Sequence, residues 1–476
     1  VFYQVLNSQG LPLLENNGRP LFIGNWEYGF GWPYMEHVIS DGQGGAIVIA
    51  MDNRDGTWDI YGQRIGAQGN RLWGETGLPL AVWSGNQEII PLDLNKDSSG
   101  NYFLSQSVHT STQSDLYIQK FRADGSVLWG IYGRAIRTNL PNGADYQQSV
   151  PDGEGGIMDV WVDFRINNMT PRLYFQHLNF AGNPLLTHNG ILVDLGAGYV
   201  ATQFLNGGVP DGAGGGIWSF TDHLRLMRLN GMGRAQWIWD SPVLASTQGP
   251  FSFLIHPSDG MLWFSCWEDR TWHPGIYLYR FTLDGQPLFG HNGLPYGGKL
   301  VPTSDGVISS VVEQPTNYFY SRRIASGGNL IWQVYTFQQN FNAYSCDFGV
   351  GADDHDGAVC AYEETRNLLT QLKNIVAQRV NPDGTLGTPG KIQPPAKPQV
   401  QSRSPRQISY VLDQAGTVTL ELYDLLGRRL AILEKGYKEA GQYTFHLQEN
   451  DWASGLYLVR INTESWQKTI KVVIAR

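Results

Sequence analysis

A unit of about fifty residues repeats through the first four-fifths of this 476-residue chain, and such a period constrains the fold more than any other feature. Its first mark is an Asp/Gly turn followed by an apolar strand: Asp41-Gly42-Gln43-Gly44-Gly45, then Ala46 to Ala50. The mark returns at Asp97-Ser98-Ser99-Gly100, Asp152-Gly153-Glu154-Gly155-Gly156 and Asp211-Gly212-Ala213-Gly214-Gly215. Weaker copies stand at Asp259-Gly260, Asp305-Gly306 and Asp356-Gly357, which makes seven. A second mark is an alternating strand with Tyr and Gln: Ile60-Tyr61-Gly62-Gln63-Arg64, Leu116-Tyr117-Ile118-Gln119-Lys120 and Leu173-Tyr174-Phe175-Gln176. Ile276-Tyr277-Leu278-Tyr279-Arg280 and Val376-Ala377-Gln378-Arg379 continue it. A third mark closes on Leu-Trp or a relative, at Leu72-Trp73, Leu128-Trp129 and Ile331-Trp332. Each unit thus offers about four short strands joined by turns in which Gly supplies positive φ.

Strand-rich units of this length predict propeller blades, stacked so that aromatic side chains fill the seams. The expected fold is all-β: a β-propeller of seven four-stranded blades, followed by a small Ig-like β-sandwich. Six and eight blades stay open. Phe2-Tyr3-Gln4-Val5 is a further copy of the second mark, and predicts a ring closed by strands from both ends of the repeat region. The repeat occupies residues 1–387, a Pro-rich linker 388–404, and a different β unit 405–476. In that last unit Tyr443, Phe445 and Leu447 alternate with Gln442, Thr444 and His446, the period of a half-buried strand.

Composition agrees. Gly is 57 of 476, aromatic residues are 12% and charged residues only 16%, against roughly 25% in an average domain. A disordered chain would invert the last two values. The formal charge of −9 argues against nucleic acid or an anionic membrane as partner, and no apolar run is long enough for a transmembrane helix. The chain opens at Val1 without a charged-then-apolar leader, as expected of a processed protein. Cys346 and Cys360 flank a hairpin near Asp353, where a disulfide and two buried thiols are both open; Cys266 has no obvious partner.

The C-terminal unit carries a resemblance. Ile408-Ser409-Tyr410-Val411-Leu412, then Leu422-Tyr423-Asp424-Leu425-Leu426-Gly427-Arg428, then Ala453-Ser454-Gly455-Leu456-Tyr457-Leu458 and Lys471-Val472-Val473 resemble the C-terminal sorting domains of type IX secretion cargo. Tyr423, Asp424, Gly427, Arg428, Gly455 and Tyr457 are the positions that match most specifically. One departure is Ser404-Pro405, where the family opens with Asn-Pro. The resemblance implies an extracellular or outer-surface location and the secretion machinery as a partner. In the family this module is commonly removed during surface attachment.

Candidate chemistry is sparse. An acid followed closely by Arg ends the Asp/Gly strand in four units: Asp52-Asn53-Arg54, Asp163-Phe164-Arg165, Glu268-Asp269-Arg270 and Glu363-Glu364-Thr365-Arg366. These four Arg form either a rim ring for a glycan or carboxylated ligand, or a repeated salt bridge that fixes each turn. Asp93, Asn95 and Asp97 before Gly100 alternate oxygens as a calcium loop does, but no Glu follows at the usual distance; a solvated turn is the other reading. Asp353, Asp354 and Asp356 raise the same choice. No carboxylate pair separates from the repeat as a glycosidase would require, so no cofactor and no catalytic residue is assigned. Asn168-Met169-Thr170 is a formal glycan acceptor. The sequence therefore points to a secreted, non-enzymatic surface protein that self-assembles into a homo-oligomer, filament or layer. A monomeric adhesin for surface glycans is the alternative, and a propeller glycoside hydrolase the third.

Overall fold

The computed structural model describes residues 2–387 and 401–474, except 8–11, 15–17, 24–36, 55, 84–87, 110–112, 168–169, 196–204, 221–224, 241–249, 256–257, 269, 271–274, 314–317, 339–347, 354, 368–371, 405–406, 413–415, 426, 439–440, 448–454 and 464–466. All its described regular elements are strands. The chain divides into two compact units, Val1–Pro389 and Gly390–Arg476. No helix among the described residues is long and apolar enough to cross a membrane.

The first unit contains seven successive antiparallel sheets, each built in chain order. Blade 1 is His37–Ser40, Ala46–Asp52, Asp59–Ile65 and Leu78–Ala81; blade 2 is Glu88–Lys96, Asn101–His109, Ser114–Arg122 and Arg134–Arg137. Blade 3 is Ala144–Pro151, Ile157–Asp163, Arg172–Leu178 and Ile191–Leu192; blade 4 is Leu205–Pro210, Gly215–Phe220, Arg225–Asn230 and Ala235–Asp240. Blade 5 has three described strands, Pro250–Ile255, Leu262–Glu268 and Gly275–Phe281. Blade 6 is Lys299–Thr303, Gly306–Glu313, Tyr318–Ala325 and Leu330–Gln338, and blade 7 is Phe348–Ala352, Ala358–Asn367 and Leu372–Val380. First strands of consecutive blades lie side by side from blade 1 to blade 7. The fold is a β-propeller.

The Asp/Gly mark has a physical cause. In blade 3 the carboxylate of Asp152 accepts the N–H groups of Glu154 (2.7 Å) and Gly156 (2.8 Å), closing the turn between the first two strands. Gly153 and Gly155 hold φ of 84° and 85°, and a Cβ on Gly156 would stand 2.3 Å from the Leu178 carbonyl oxygen. The Asp-Gly-x-Gly-Gly string is therefore required residue by residue. Blade 7 departs from the sequence reading. There Asp353, not Asp356, accepts the two turn N–H groups, from His355 and Gly357 at 2.8 Å each. Asp356 instead reaches back to Ser304 and Arg323 of blade 6.

The N-terminal strand also departs from expectation. Phe2–Tyr3 pairs with Arg19–Pro20, and among the described residues no strand of blade 7 joins them. Leu21 and Phe22 pack on Val48, Ala50 and Tyr61 of blade 1. The pairing seen among the described residues is local, within one half-blade. Cys266 and Cys360 are buried free thiols, and Cys360 faces Val350 across its strand pair; Cys346 lies outside the described residues.

The second unit is a sandwich. Gln401–Ser404, Gln407–Leu412 and Gly441–His446 form one sheet; Arg429–Lys438, Gly416–Tyr423, Gly455–Asn462 and Gln467–Ile474 form the other. Ile408 and Tyr410 of the first meet Val418, Leu420, Leu422, Val459, Ile461 and Val472 of the second. Tyr443 and Phe445 complete this core, as their alternation requires.

Candidate functional site

The three acid–Arg pairs whose side chains are described share one geometry. Arg54 Nε donates to both oxygens of Asp52 (2.8 and 3.0 Å) and its guanidinium lies 3.6 Å over the Tyr61 ring. Arg165 donates to Asp163 (2.6 Å) and stacks 3.6 Å over Tyr174; Arg270 donates to Glu268 (2.6 Å) and stacks 3.4 Å over Tyr277. Each also reaches a carbonyl oxygen in the segment that follows the third strand of its own blade: Thr76 (2.7 Å), Asn189 (2.9 Å) and Asn292 (2.6 Å). The repeated Tyr of the third strand is thus the platform for the Arg of the second. Burial works against ionisation of Asp163, but Arg165, Trp161 and Arg137 hold its carboxyl below the usual value. All three acids are fully buried and the Arg are mostly covered, so these guanidinium groups are engaged inside their blades. Arg366 lies on Ala358–Asn367, but its side chain is outside those described.

Replacing Arg165 with leucine is expected to cost about 1.5–3 kcal/mol of stability, the range for hydrogen bonds to a charged group. Denaturant titration checks this. A stability unchanged within error would return Arg165 to the pool of ligand contacts.

A second set of contacts joins blades, and sequence reasoning gave its residues no role. In blades 1 and 3 to 6 the third strand carries near its end a base that binds the turn acid of its own blade and a carbonyl of the next; Lys120 of blade 2 makes the second contact, and Arg379 of blade 7 the first. Arg64 Nε bonds Asp41 (2.9 Å) while Nη1 reaches Ala123 in blade 2 (3.2 Å). Lys120 donates to Gly155 of blade 3 (2.5 Å), and His177 links Asp152 to Gly231 of blade 4, both at 2.9 Å. Arg228 links Asp211 to Leu283, Arg280 links Asp259 to Ser326, and Arg323 links Asp305 to Pro382. At four junctions a Trp indole N–H donates to a carbonyl that the base also reaches: Trp73 to Ala123, Trp129 to Phe180, Trp237 to Leu283 and Trp332 to Pro382. Burial opposes ionisation of Asp41, Asp152 and Asp353, yet the turn N–H groups and the facing base hold each below its usual value. The signal was a basic residue at a fixed offset after Tyr.

Asp93, Asn95 and Asp97 have separate tasks. Asp93 accepts from Asn95 (2.8 Å) and from the Ser149 N–H of blade 3 (3.0 Å). Asp97 caps its own turn through the Asn101 N–H at 2.8 Å. Among the described residues no group of three His, Cys, Asp or Glu side chains converges on a common point for a metal ion. Asp354, Asn168 and Met169 lie outside the described residues.

In the C-terminal unit the Tyr-Asp-x-x-Gly-Arg string forms the turn between Gly416–Tyr423 and Arg429–Lys438. Asp424 accepts the Arg428 N–H (2.9 Å) and its Nε–H (2.7 Å), and Gly427 holds φ of 79°. Tyr423 donates to Glu421 (2.9 Å), which also binds Arg429 (2.7 Å) and Asn462 (3.0 Å). Gly455 opens the central strand opposite Ile474, and Tyr457 pairs with Val472 against the core. The matched residues are those that shape the turn and seat this strand.

No curated protein matches the chain. Among solved structures it is similar to PorZ of Porphyromonas gingivalis, described as an essential bacterial surface component of the type-IX secretion system. That likeness has 10% identity, 94% of this chain and 75% of that one, and a TM-score of 0.34. A polysaccharide lyase follows at 11% identity, 73% and 77% coverage and TM-score 0.40. An endo-arabinase from Bacteroides thetaiotaomicron stands at 12%, 72% and 92%, and 0.31. All three scores are low, and the propeller assignment rests on the sheets described above. Residues 404–475 match the family described as "Secretion system C-terminal sorting domain". The chain therefore ends in a type IX secretion sorting domain, through which it engages the secretion machinery, and it is a protein of the cell surface or the extracellular space.

Proposed function

We propose that this is a non-catalytic structural protein that assembles head to tail outside the cell, the propeller unit of one copy against the sorting-domain unit of the next. One observation carries the reading. Residues 1–389 hold 35 acidic and 22 basic side chains, a net −13, whereas residues 390–476 hold 8 and 12, a net +4. A chain with oppositely charged units attracts its own copies in a fixed polarity. A contact between two different surfaces need not close on itself, and so propagates. The acid–Arg pairs support the non-catalytic half, since they are engaged within their blades. The Pro-rich stretch up to residue 400 serves as tether, with Gln401–Ser404 already a strand of the second unit, and the reading requires that this unit be retained after export.

Sedimentation velocity of the full chain against a 1–389 truncation is the test. The full chain is expected to grow with protein concentration and to dissociate as salt rises, because the attraction is screened within about 8 Å at physiological ionic strength. The truncation should stay monomeric. A full chain that is monomeric at low salt and at every concentration removes the assembly reading, and a monomeric surface adhesin takes its place.

A further inference from the structure

The strand Ile157–Asp163 of blade 3 is buried along its whole length, and one of its two acids, Asp159, has no basic partner among the described residues. Asp159 Oδ2 accepts a hydrogen bond from Gln147 Nε2 on the neighbouring strand. The other oxygen of each group, Asp159 Oδ1 and Gln147 Oε1, is buried and has no donor. Gln147 reaches this position through a bulge: the register jumps between Asp145 and Gln148, and Tyr146 holds a φ of 55°. Carboxyl and amide therefore meet with one bond made and two acceptors left over.

Both residues are only 1% exposed. A water would need about 10–15 Å³ of open volume beside them, and a hard cation would need about six oxygen ligands. A proton needs neither. Placed on Asp159 Oδ1 and donated to Gln147 Oε1, it satisfies both atoms and closes a cyclic acid–amide pair. The surrounding groups supply no positive charge. Ser149 and Gln176, cross-strand neighbours of Asp159 on either side, are neutral. The charge that acts on Asp159 is that of Asp93 of blade 2, itself buried and bound by Asn95 and Ser149, with His37 of blade 1 acting on it in turn.

We propose that Asp159 holds a proton in the folded protein, as the acid half of a pair with Gln147, and that blade 3 thereby contains a proton-binding site whose emptying loosens the blade. Burial pushes this carboxyl well above its ordinary value; the Gln147 N–H works against that and the Asp93 charge adds to it. The sign follows. The folded chain binds a proton that the unfolded chain releases, so the contribution is complete below the unfolded value of about 3.9. It is lost as pH rises through the folded value. Within that window the unfolding constant rises about tenfold per pH unit on account of this one group. A protein outside the cell meets pH values set by its surroundings, which gives such a site something to report.

Chemical denaturation of the full chain across a pH series, beside Asp159→Asn and Asp93→Asn, is the experiment. An asparagine at 159 donates to Gln147 permanently. It should remove the tenfold-per-unit dependence and leave the variant more stable than the parent at neutral pH. Asp93→Asn should move the window to lower pH. Carbon-13 labelling of the Asp carboxyls reads the proton directly, as a resonance lost in Asp159→Asn that is still protonated at neutral pH in the parent. An Asp159→Asn protein that is less stable than the parent at every pH, or a 159 resonance already ionised in mildly acidic solution, overturns the proposal.

Discussion

Asp163→Ala is expected to destabilise the propeller by about 3–5 kcal/mol, the cost of leaving a buried charge without its partner. The charge is Arg137, fully buried at the end of blade 2, whose Nε lies 3.1 Å from Asp163 Oδ2. Its remaining partners are backbone carbonyls at Ser114, Pro141 and Asn142, and the carboxylate of Asp115 at 3.9 Å. The same oxygen also accepts from Trp161 Nε1 (2.8 Å) and Arg165 (2.6 Å), and Oδ1 accepts the Arg165 N–H (2.8 Å), so one substitution strands four donors. Asp52→Ala is the control. Its Arg partner, Arg54, is partly exposed and can turn to water, so the loss there should be about 1–3 kcal/mol. Denaturant titration of the two variants in parallel gives the difference. The pH dependence has a definite direction: the Asp163 carboxyl is held low, so its contribution is present above the unfolded value and is lost as pH falls. The variant should show a flatter acid limb than the parent.

Trp218→Ala should cost a similar amount, about 3–5 kcal/mol, by leaving an indole-sized cavity at a blade seam. Trp218 is fully buried in blade 4, meets Phe175 of blade 3 edge-on at 6.2 Å, and donates to the Gln148 carbonyl at 3.2 Å. Gly208 and Gly216 make room for the ring: a Cβ on either would stand 2.8 or 2.6 Å from indole atoms. Because the ring belongs to two blades, both should lose hydrogen-exchange protection together in the variant. Loss confined to blade 4 would mean the seam contributes little.

The repeat made the blades legible, because turn acids and glycines are dictated locally: Asp152 with Gly153, Gly155 and Gly156 can be read as a string. Alternation did the same for Tyr443 and Phe445. Other features depend on partners about fifty residues away in the chain. That is why Arg64 could be seen in its motif without its bond to Ala123, and why Asp353 and Asp356 could not be told apart. The pair of Asp159 and Gln147 was less legible still. A one-residue bulge changes which side chains face inward, and nothing in the sequence around Tyr146 announces it. The half-blade at residues 2–20 carried the right strand pattern, but pattern alone does not choose between a near and a distant edge.

The junction between blades has a direction. At the junctions built on Arg64, Arg228 and Arg323, base and indole come from the earlier blade and the carbonyl that receives them from the later one. As the chain is synthesised, such a blade exposes finished donors before their acceptor exists, and the arriving blade meets a surface already in place. Assembly can then run vectorially, with every completed junction templating the next. A chain halted after one of these blades is left with unmet donors at its growing end.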